Sequence, residues 1–141
     1  MLVSHKSVLA LDVGGKRVGV AIASLEARLP RPLTTLERND AFLTKLTAII
    51  EAEDIGMIIV GLPRDLNGQY TPQTRSTEAF IKQLKQYFKG PIHPQDEAVT
   101  SKQAEAELQS RGGDYARGDI DALAATYILE DFLREYRESP A

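Results

Sequence analysis

Residues 8–23, VLALDVGGKRVGVAIA, place two apolar runs on either side of a glycine-rich turn. The first run closes with an acid, Asp12, and the pair Gly14-Gly15 follows it. Glycine pairs are typical of hairpin turns, because glycine adopts backbone conformations that other residues avoid. The stretch therefore predicts two antiparallel strands, residues 8–13 and 18–23, with a carboxylate at the end of the first.

The next hundred residues predict three further strands and their helices. Residues 32–36 read as a weaker third strand, which Pro30 and Pro32 confine to an edge. Apolar residues at helical spacing over 42–50 predict a helix capped by Asn39-Asp40 and ended by Gly56. Residues 57–60 are a continuous apolar run, as in parallel strands that are buried on both faces.

Residues 64–73 lack periodicity and predict a loop. A helix marked by Phe80 and Phe88 follows, and an extended piece from Pro91 closes at Asp96-Glu97. Residues 100–103 have the form of a capping box, which opens a helix that ends at residues 112–113. Asp119 is predicted to cap the last helix.

The element order is β-β-β-α-β-α-β-α-α, which predicts an α/β fold with a five-stranded mixed sheet and helices on both faces. The first strand is the pivot of the sheet. The meander extends from one side of it, and right-handed crossovers place residues 57–60 on the other side. Ligands bind at the carboxyl ends of strands at such a switch point, where Asp12 is expected.

Length and composition limit the class of protein. A chain of 141 residues, 43% hydrophobic and 26% charged, predicts one globular domain over 1–141. It has neither an apolar run of roughly 20 residues nor a signal-peptide pattern, so we expect a cytoplasmic protein without a membrane partner. A net charge of −3 argues against bulk electrostatic coating of nucleic acid and leaves room for a local basic patch. With no Cys and two His, any metal must bind oxygen ligands.

Three acidic segments are predicted to meet in one crevice: Asp12, the pair Asp96-Glu97, and Asp121 in the first turn of the last helix. Each also has a structural interpretation, as an acceptor for turn amides or as a charge near a helix N-terminus. Together they suit Mg²⁺ or Mn²⁺, and two such ions can activate a water and stabilise the leaving oxygen of a phosphodiester. Without metal the carboxylates repel, so Asp121→Asn is expected to raise the melting temperature unless a contact with the helix N-terminus outweighs that repulsion.

Basic residues are predicted near the same edge of the sheet, where they would bind phosphate. Each one alone is equally consistent with a solvated surface charge. The five candidates are Lys16, Arg17, Arg64, Arg75 and Arg117.

Four segments together resemble one family. They are residues 11–21 (LDVGGKRVGVA), 60–63 (VGLP) with Asn67-Gly68, 96–101 (DEAVTS) and 120–125 (IDALAA). They resemble the YqgF family, also called RuvX, which is associated with Holliday junction resolution and with maturation of the 5′ end of bacterial pre-16S rRNA. The resemblance implies a ribonuclease H-like fold over nearly the whole chain. It also implies Asp12, Glu97 and Asp121 as catalytic acids, with Asp96 as the spare ligand.

One position departs from the family pattern, because Ala98 stands where the family usually has Arg. The leading hypothesis is a Mg²⁺- or Mn²⁺-dependent endonuclease acting on structured RNA, branched DNA or both. The alternative is a non-catalytic nucleic-acid-binding or ribosome-assembly module on the same fold. Nucleotide binding is disfavoured, because residues 14–17 do not fit the P-loop pattern. The sequence leaves open whether the protein is a monomer or a homodimer.

Overall fold

The computed structural model describes residues 7–63, 69–97, 100–112 and 116–136, without the side chains of residues 97 and 100–103. It contains five strands and four helices in the predicted order. They are β1 (Ser7–Val13), β2 (Arg17–Ser24), β3 (Arg31–Glu37), α1 (Phe42–Ala52), β4 (Ile55–Pro63), α2 (Pro72–Leu84), β5 (Ile92–Glu97), α3 (Thr100–Arg111) and α4 (Arg117–Glu135).

The strands form one mixed sheet in the order β3-β2-β1-β4-β5. β1 pairs antiparallel with β2 and parallel with β4, so the predicted switch in topology lies beside β1. β3 is an edge strand, which accommodates Pro32 where the register with β2 shifts. The carboxyl ends of β1, β4 and β5 therefore share one edge of the sheet, as the site hypothesis requires.

Helices cover both faces of the sheet, as predicted. Leu9 and Leu11 of β1 belong to the core formed with α1 and α2. Val8 and Ala10 belong to the core formed with α4. This alternation along β1 assigns every second residue to the α4 face. No helix in the described ranges combines the length and the apolar character needed to cross a membrane.

The boundaries of α1 and β4 differ from the prediction. The N-cap of α1 is Ala41, and Asn39 Oδ1 accepts the Ala41 N–H at 3.0 Å from outside the helix. α1 ends at Ala52, and the chain reverses through Asp54, whose φ is 52°. Gly56 lies inside β4 rather than ending the helix, because the strand extends beyond its most apolar residues.

The loop predicted over residues 64–73 ends earlier in the structure, because α2 already begins at Pro72. Thr71 is the N-cap of α2, Pro72 is its first residue, and a reciprocal capping box joins Thr71 to Thr74. The Thr74 hydroxyl donates to the Pro63 carbonyl, so the start of α2 is fixed to the end of β4. The predicted capping box at residues 100–103 involves side chains outside the described set.

Candidate active site

Asp12 lies near the end of β1 on the α4 face of the sheet. Its alternation partners Val8 and Ala10 share a core with Ala125 and Ile128 of α4. Asp12 is partly exposed, in contrast to the fully buried residues before it. A carboxylate that ends a buried strand in this way remains accessible to solvent and to a ligand.

The spacing of residues along β1 and α4 brings Asp121 and Asp12 to the same height along the strand direction. From Ala10 to Asp12 the strand advances about 6.7 Å. From Ala125 back to Asp121 the helix retreats by four residues, or about 6 Å. Since Ala10 and Ala125 belong to one core, the two acids come to the same edge of the sheet. Asp121 lies in the second turn of α4, one turn later than predicted.

Gly19 allows α4 to approach the sheet closely. It is the register partner of Asp12, and a Cβ at Gly19 would lie 2.0 Å from the carbonyl oxygen of Asp121. No side chain fits in that space. Gly19 is not among the residues predicted above for the site, although glycine inside a strand is a recognised sign of close backbone approach.

Arg17 contacts Asp121 directly. Arg17 Nε donates to Asp121 Oδ2 at 2.7 Å, and the two side chains are 33% and 22% exposed. A second contact fixes the first turn of α4, because Thr35 Oγ1 donates to the Gly118 carbonyl at 2.5 Å. Arg17, predicted to bind substrate phosphate, thus also orients one of the predicted catalytic acids.

β5 alternates between the two faces of the sheet on the way to the acidic pair at its end. His93 is on the α4 face, where its ring stacks on Phe132 with centroids 5.9 Å apart. Ile92 packs against the opposite core. Residue 97 is in phase with His93 along the strand, and Asp96 is in phase with Ile92.

Three more of the predicted cations, Lys16, Arg75 and Arg117, lie at or near the same edge. Lys16 is exposed in the turn between β1 and β2, and Arg117 is exposed at the first position of α4. Arg75 is exposed in the first turns of α2. Arg64 and Ala98 lie outside the described residues.

Asp119 caps α4 from an unexpected position. The N-cap residue is Ala116, and Asp119 is the third residue of the helix, where its Oδ2 accepts the Ala116 N–H at 2.8 Å. The predicted capping role is correct and the predicted N-cap position is wrong. Asp119 therefore stabilises the start of α4, two residues before Asp121.

Arg38, which is not among the cations predicted above, also lies at the edge of the site. Its guanidinium donates to the Gly14 carbonyl at 2.9 Å, and its backbone N–H donates to the Lys16 carbonyl at 2.8 Å. Both bonds fix the turn that follows Asp12. Arg38 comes one residue after β3 in a stretch without a motif, so only the tertiary structure brings it to this edge.

The carboxylates of Asp12 and Asp121 offer oxygen atoms as metal ligands. The described side chains contain no group of three or more His, Cys, Asp or Glu residues able to hold a metal, and the side chain of residue 97 is not among them. Carboxylates from two different elements at one edge are the ligand type that Mg²⁺ and Mn²⁺ prefer. The chemistry of the site therefore fits a hard divalent cation.

Similar proteins were found by sequence. A family model described as "RuvX: Holliday junction resolvase" matches residues 6–135. A protein of Thermoanaerobacter pseudethanolicus is 38% identical over 132 residues, covering 89% of this chain and 94% of its own. A protein of Chloroflexus aggregans is 33% identical over 141 residues, covering 97% and 99%. Both bear the name "Putative pre-16S rRNA nuclease".

Solved structures share the architecture at much lower identity. Thermus thermophilus RuvC in complex with a Holliday junction substrate has a TM-score of 0.53 at 13% identity, covering 91% of this chain and 95% of that one. Fowlpox virus resolvase with Holliday junction DNA has a TM-score of 0.51 at 14% identity, covering 91% and 97%. These structures confirm the predicted ribonuclease H-like fold. With a family match over residues 6–135 and relatives above 30% identity across most of its length, the chain belongs to the RuvX family of Holliday junction resolvases.

Proposed function

We propose that this protein is a nuclease that requires Mg²⁺ or Mn²⁺ and cleaves structured RNA, with the 5′ end of pre-16S rRNA as its main substrate and branched DNA as a second one. The names of its relatives support the RNA substrate, and the name of the family supports the DNA junction. We propose in addition that residues 1–141 form one nuclease domain and that it acts in the cytoplasm.

One observation carries the proposal: α4 approaches Gly19 so closely that Asp121 comes level with Asp12 at the carboxyl edge of β1. We assign Asp12 and Asp121 as metal ligands, with Glu97 as the third. The phase of β5 favours Glu97 over Asp96, because residue 97 alternates onto the α4 face.

Bound Mg²⁺ or Mn²⁺, as one ion or a pair, would supply an activated water and neutralise charge on the scissile phosphate. Arg17 holds the Asp121 carboxylate in place through Nε, and its other guanidinium nitrogens would bind a phosphate oxygen. This role compensates for Ala98, which stands where the family usually has Arg. Lys16, Arg75, Arg117 and Arg64 would bind flanking phosphates, which position the strand without reading its sequence.

A cleavage assay tests this proposal. The substrates are a precursor rRNA fragment that spans the 5′ end of 16S rRNA and a four-way DNA junction, each with Mg²⁺, Mn²⁺ or EDTA. We expect cleavage by the wild type only with metal, and none by Asp12→Asn, Glu97→Gln or Asp121→Asn. Asp96→Asn is the matched control, because it makes the same chemical change on the opposite face, and it should remain active.

Two results would overturn the proposal. Cleavage by Asp12→Asn at the wild-type rate would remove the metal site from this edge. Binding of the RNA that is unaffected by EDTA and by Asp12→Asn, with no cleavage under any condition, would establish the non-catalytic module instead.

A further inference from the structure

A pocket of about 450 Å³ lies between the start of α1 and the C-terminal half of α2. It is on the face of the sheet opposite α4, and neither Asp12 nor Asp121 lines it. Two aromatic rings, Phe42 and Phe80, line it, with their centroids 5.9 Å apart. Both residues are only 7% exposed, so the rings are held rigidly in the core. The volume is typical of small-molecule sites.

Arg38 connects this pocket to the edge where Asp12 lies. Its guanidinium carbon is 5.4 Å from the centroid of Phe80, a cation–π distance. The same guanidinium donates to the Gly14 carbonyl at 2.9 Å, in the turn after β1. A flat cationic group is therefore fixed at the pocket wall, and the other side of its plane can stack on a planar ligand.

The rest of the pocket wall carries groups that suit the edges of a nucleobase. Gln83 and Gln86 offer amide donors and acceptors, and Asp40 offers a carboxylate that accepts from an exocyclic amino group. The carboxylate also disfavours a phosphate inside the pocket. Tyr87 lines the pocket while 56% exposed, which leaves its ring available for stacking.

The surface beside the pocket is basic. Residues 72–90 contain four basic residues and one acid, whereas the whole chain has a net charge of −3. Lys82, Lys85 and Lys89 are all exposed along the end of α2 and the turn after it. Exposed lysines next to an aromatic pocket are what the backbone and bases of a single strand require.

We infer that this pocket binds an unpaired base of a single-stranded segment of the substrate, with the neighbouring phosphates on Lys82, Lys85 and Lys89. The inference rests on the proposed function, to which it adds a single-strand anchor away from the metal ligands. A base stacks on Tyr87 and Arg38, and the amides of Gln83 and Gln86 hold its edge. An RNA with an unpaired overhang would then bind more tightly than the same duplex with a blunt end.

Binding is measured by fluorescence anisotropy in EDTA, with a labelled RNA hairpin that is blunt or has a single-stranded overhang. We expect Tyr87→Ala to weaken overhang binding about tenfold, and Tyr87→Phe to preserve it because the ring remains. Gln83→Ala should also weaken overhang binding. Its matched control is Gln109→Ala, which alters an exposed glutamine of α3. The blunt hairpin should bind all variants equally.

A fluorescent reporter detects stacking directly, because the chain contains no Trp. In Tyr87→Trp the overhang RNA should quench the emission, and in Leu29→Trp, where the parent residue is 74% exposed outside the pocket, it should not. Equal overhang affinity for Tyr87→Ala and Gln109→Ala, without quenching in Tyr87→Trp, would overturn the inference.

The two proposals fail separately. If the overhang RNA binds through the pocket in EDTA but is not cleaved in Mg²⁺, the base-binding pocket is supported and the nuclease proposal is refuted. Cleavage in Mg²⁺ with pocket variants that bind like the wild type would do the reverse. A wild type that binds neither hairpin in EDTA would refute the pocket, and the cleavage assay would still decide the nuclease.

Discussion

Arg17 and Asp121, 104 residues apart in sequence, are joined by a hydrogen-bonded salt bridge of 2.7 Å from Nε to Oδ2. Arg17 opens β2 and Asp121 lies in the second turn of α4, so the pair ties the predicted catalytic helix to the first hairpin. The salt bridge also places a positive charge directly beside the Asp121 carboxylate. This changes the consequence of removing the carboxylate in the metal-free protein.

Asp121→Asn is expected to destabilise the metal-free protein slightly, by about 0.5–1 kcal/mol, because the amide cannot balance the charge of Arg17. The sequence alone, through repulsion among the acids, predicts the opposite sign. Urea unfolding of the wild type, Arg17→Ala, Asp121→Asn and the double variant measures the coupling, which should shrink at high salt. A melting temperature that rises in Asp121→Asn would show that repulsion dominates.

Gly19→Ala should cost about 3 kcal/mol of stability, because its Cβ would lie 2.0 Å from the Asp121 carbonyl oxygen and 2.3 Å from the carbonyl carbon. α4 must then move away from β2, and cleavage should be lost together with stability. Gly15→Ala is the matched control, since nothing lies within 4 Å of its added Cβ. Thermal melts compare the two variants, and equal melting temperatures would contradict the close approach.

Much of the fold could be predicted from the periodicity of apolar residues. The hairpin over residues 8–23 and the apolar run at 57–60 are enough to fix a central strand with neighbours of opposite direction, as the sheet order confirms. The ends of the helices and strands are harder to predict, because capping depends on where the chain turns in three dimensions. Asp54 turns the chain after α1 in a left-handed conformation, whereas the sequence pointed to Gly56.

The sequence predicts which acids form the candidate site better than it predicts which residues contact them. Asp12 stands out because it is an acid in an apolar strand. Arg17 and Arg38 are ordinary surface cations in sequence, and only the packing of α4 and the end of β3 shows that one binds Asp121 and the other the hairpin turn. Such contacts join residues far apart in the chain, which local patterns do not encode.

Asp119→Ala should cost about 1 kcal/mol while leaving cleavage intact, because it removes the acceptor of the Ala116 N–H and an acid near the helix N-terminus. Asp131→Ala provides the comparison on the same helix, since Asp131 forms an exposed pair with Arg134 at 3.3 Å. Its cost should be close to zero. Loss of cleavage in Asp119→Ala, with the fold intact, would move Asp119 from the cap to the active site.

Tyr127 makes the contact between α3 and α4 sensitive to alkaline pH. Its hydroxyl donates to Glu107 Oε2 at 2.5 Å, and burial, followed by this bond, raises the pKa of Tyr127 to about 12. The unfolded chain releases this proton near pH 10. The contribution of the Tyr127–Glu107 bond to the free energy of unfolding is therefore fully present below pH 10 and is lost as the pH rises toward 12.

Tyr127→Phe should therefore be about 1–2 kcal/mol less stable than the wild type at pH 8, and the difference should narrow between pH 10 and 12. Urea unfolding followed by circular dichroism at each pH measures it. Tyr87→Phe, which changes an exposed ring, reports the general effect of alkaline solution. A difference that stays constant up to pH 12 would show that the Glu107 bond does not hold the proton.

Mg²⁺ should stabilise the wild type by about 2.7 kcal/mol at 100 times its dissociation constant, because it binds the folded state alone. Asp12→Asn and Asp121→Asn should gain less. Arg17→Ala should respond at about fivefold lower Mg²⁺, since removing a nearby positive charge favours the cation by about 1 kcal/mol, and should cleave more slowly because Asp121 loses its orienting partner. A thermal-shift titration of the four proteins decides between these outcomes. Identical Mg²⁺ responses would mean that Asp12 and Asp121 share no metal. The salt bridge from Arg17 would then serve only to hold α4 against the first hairpin.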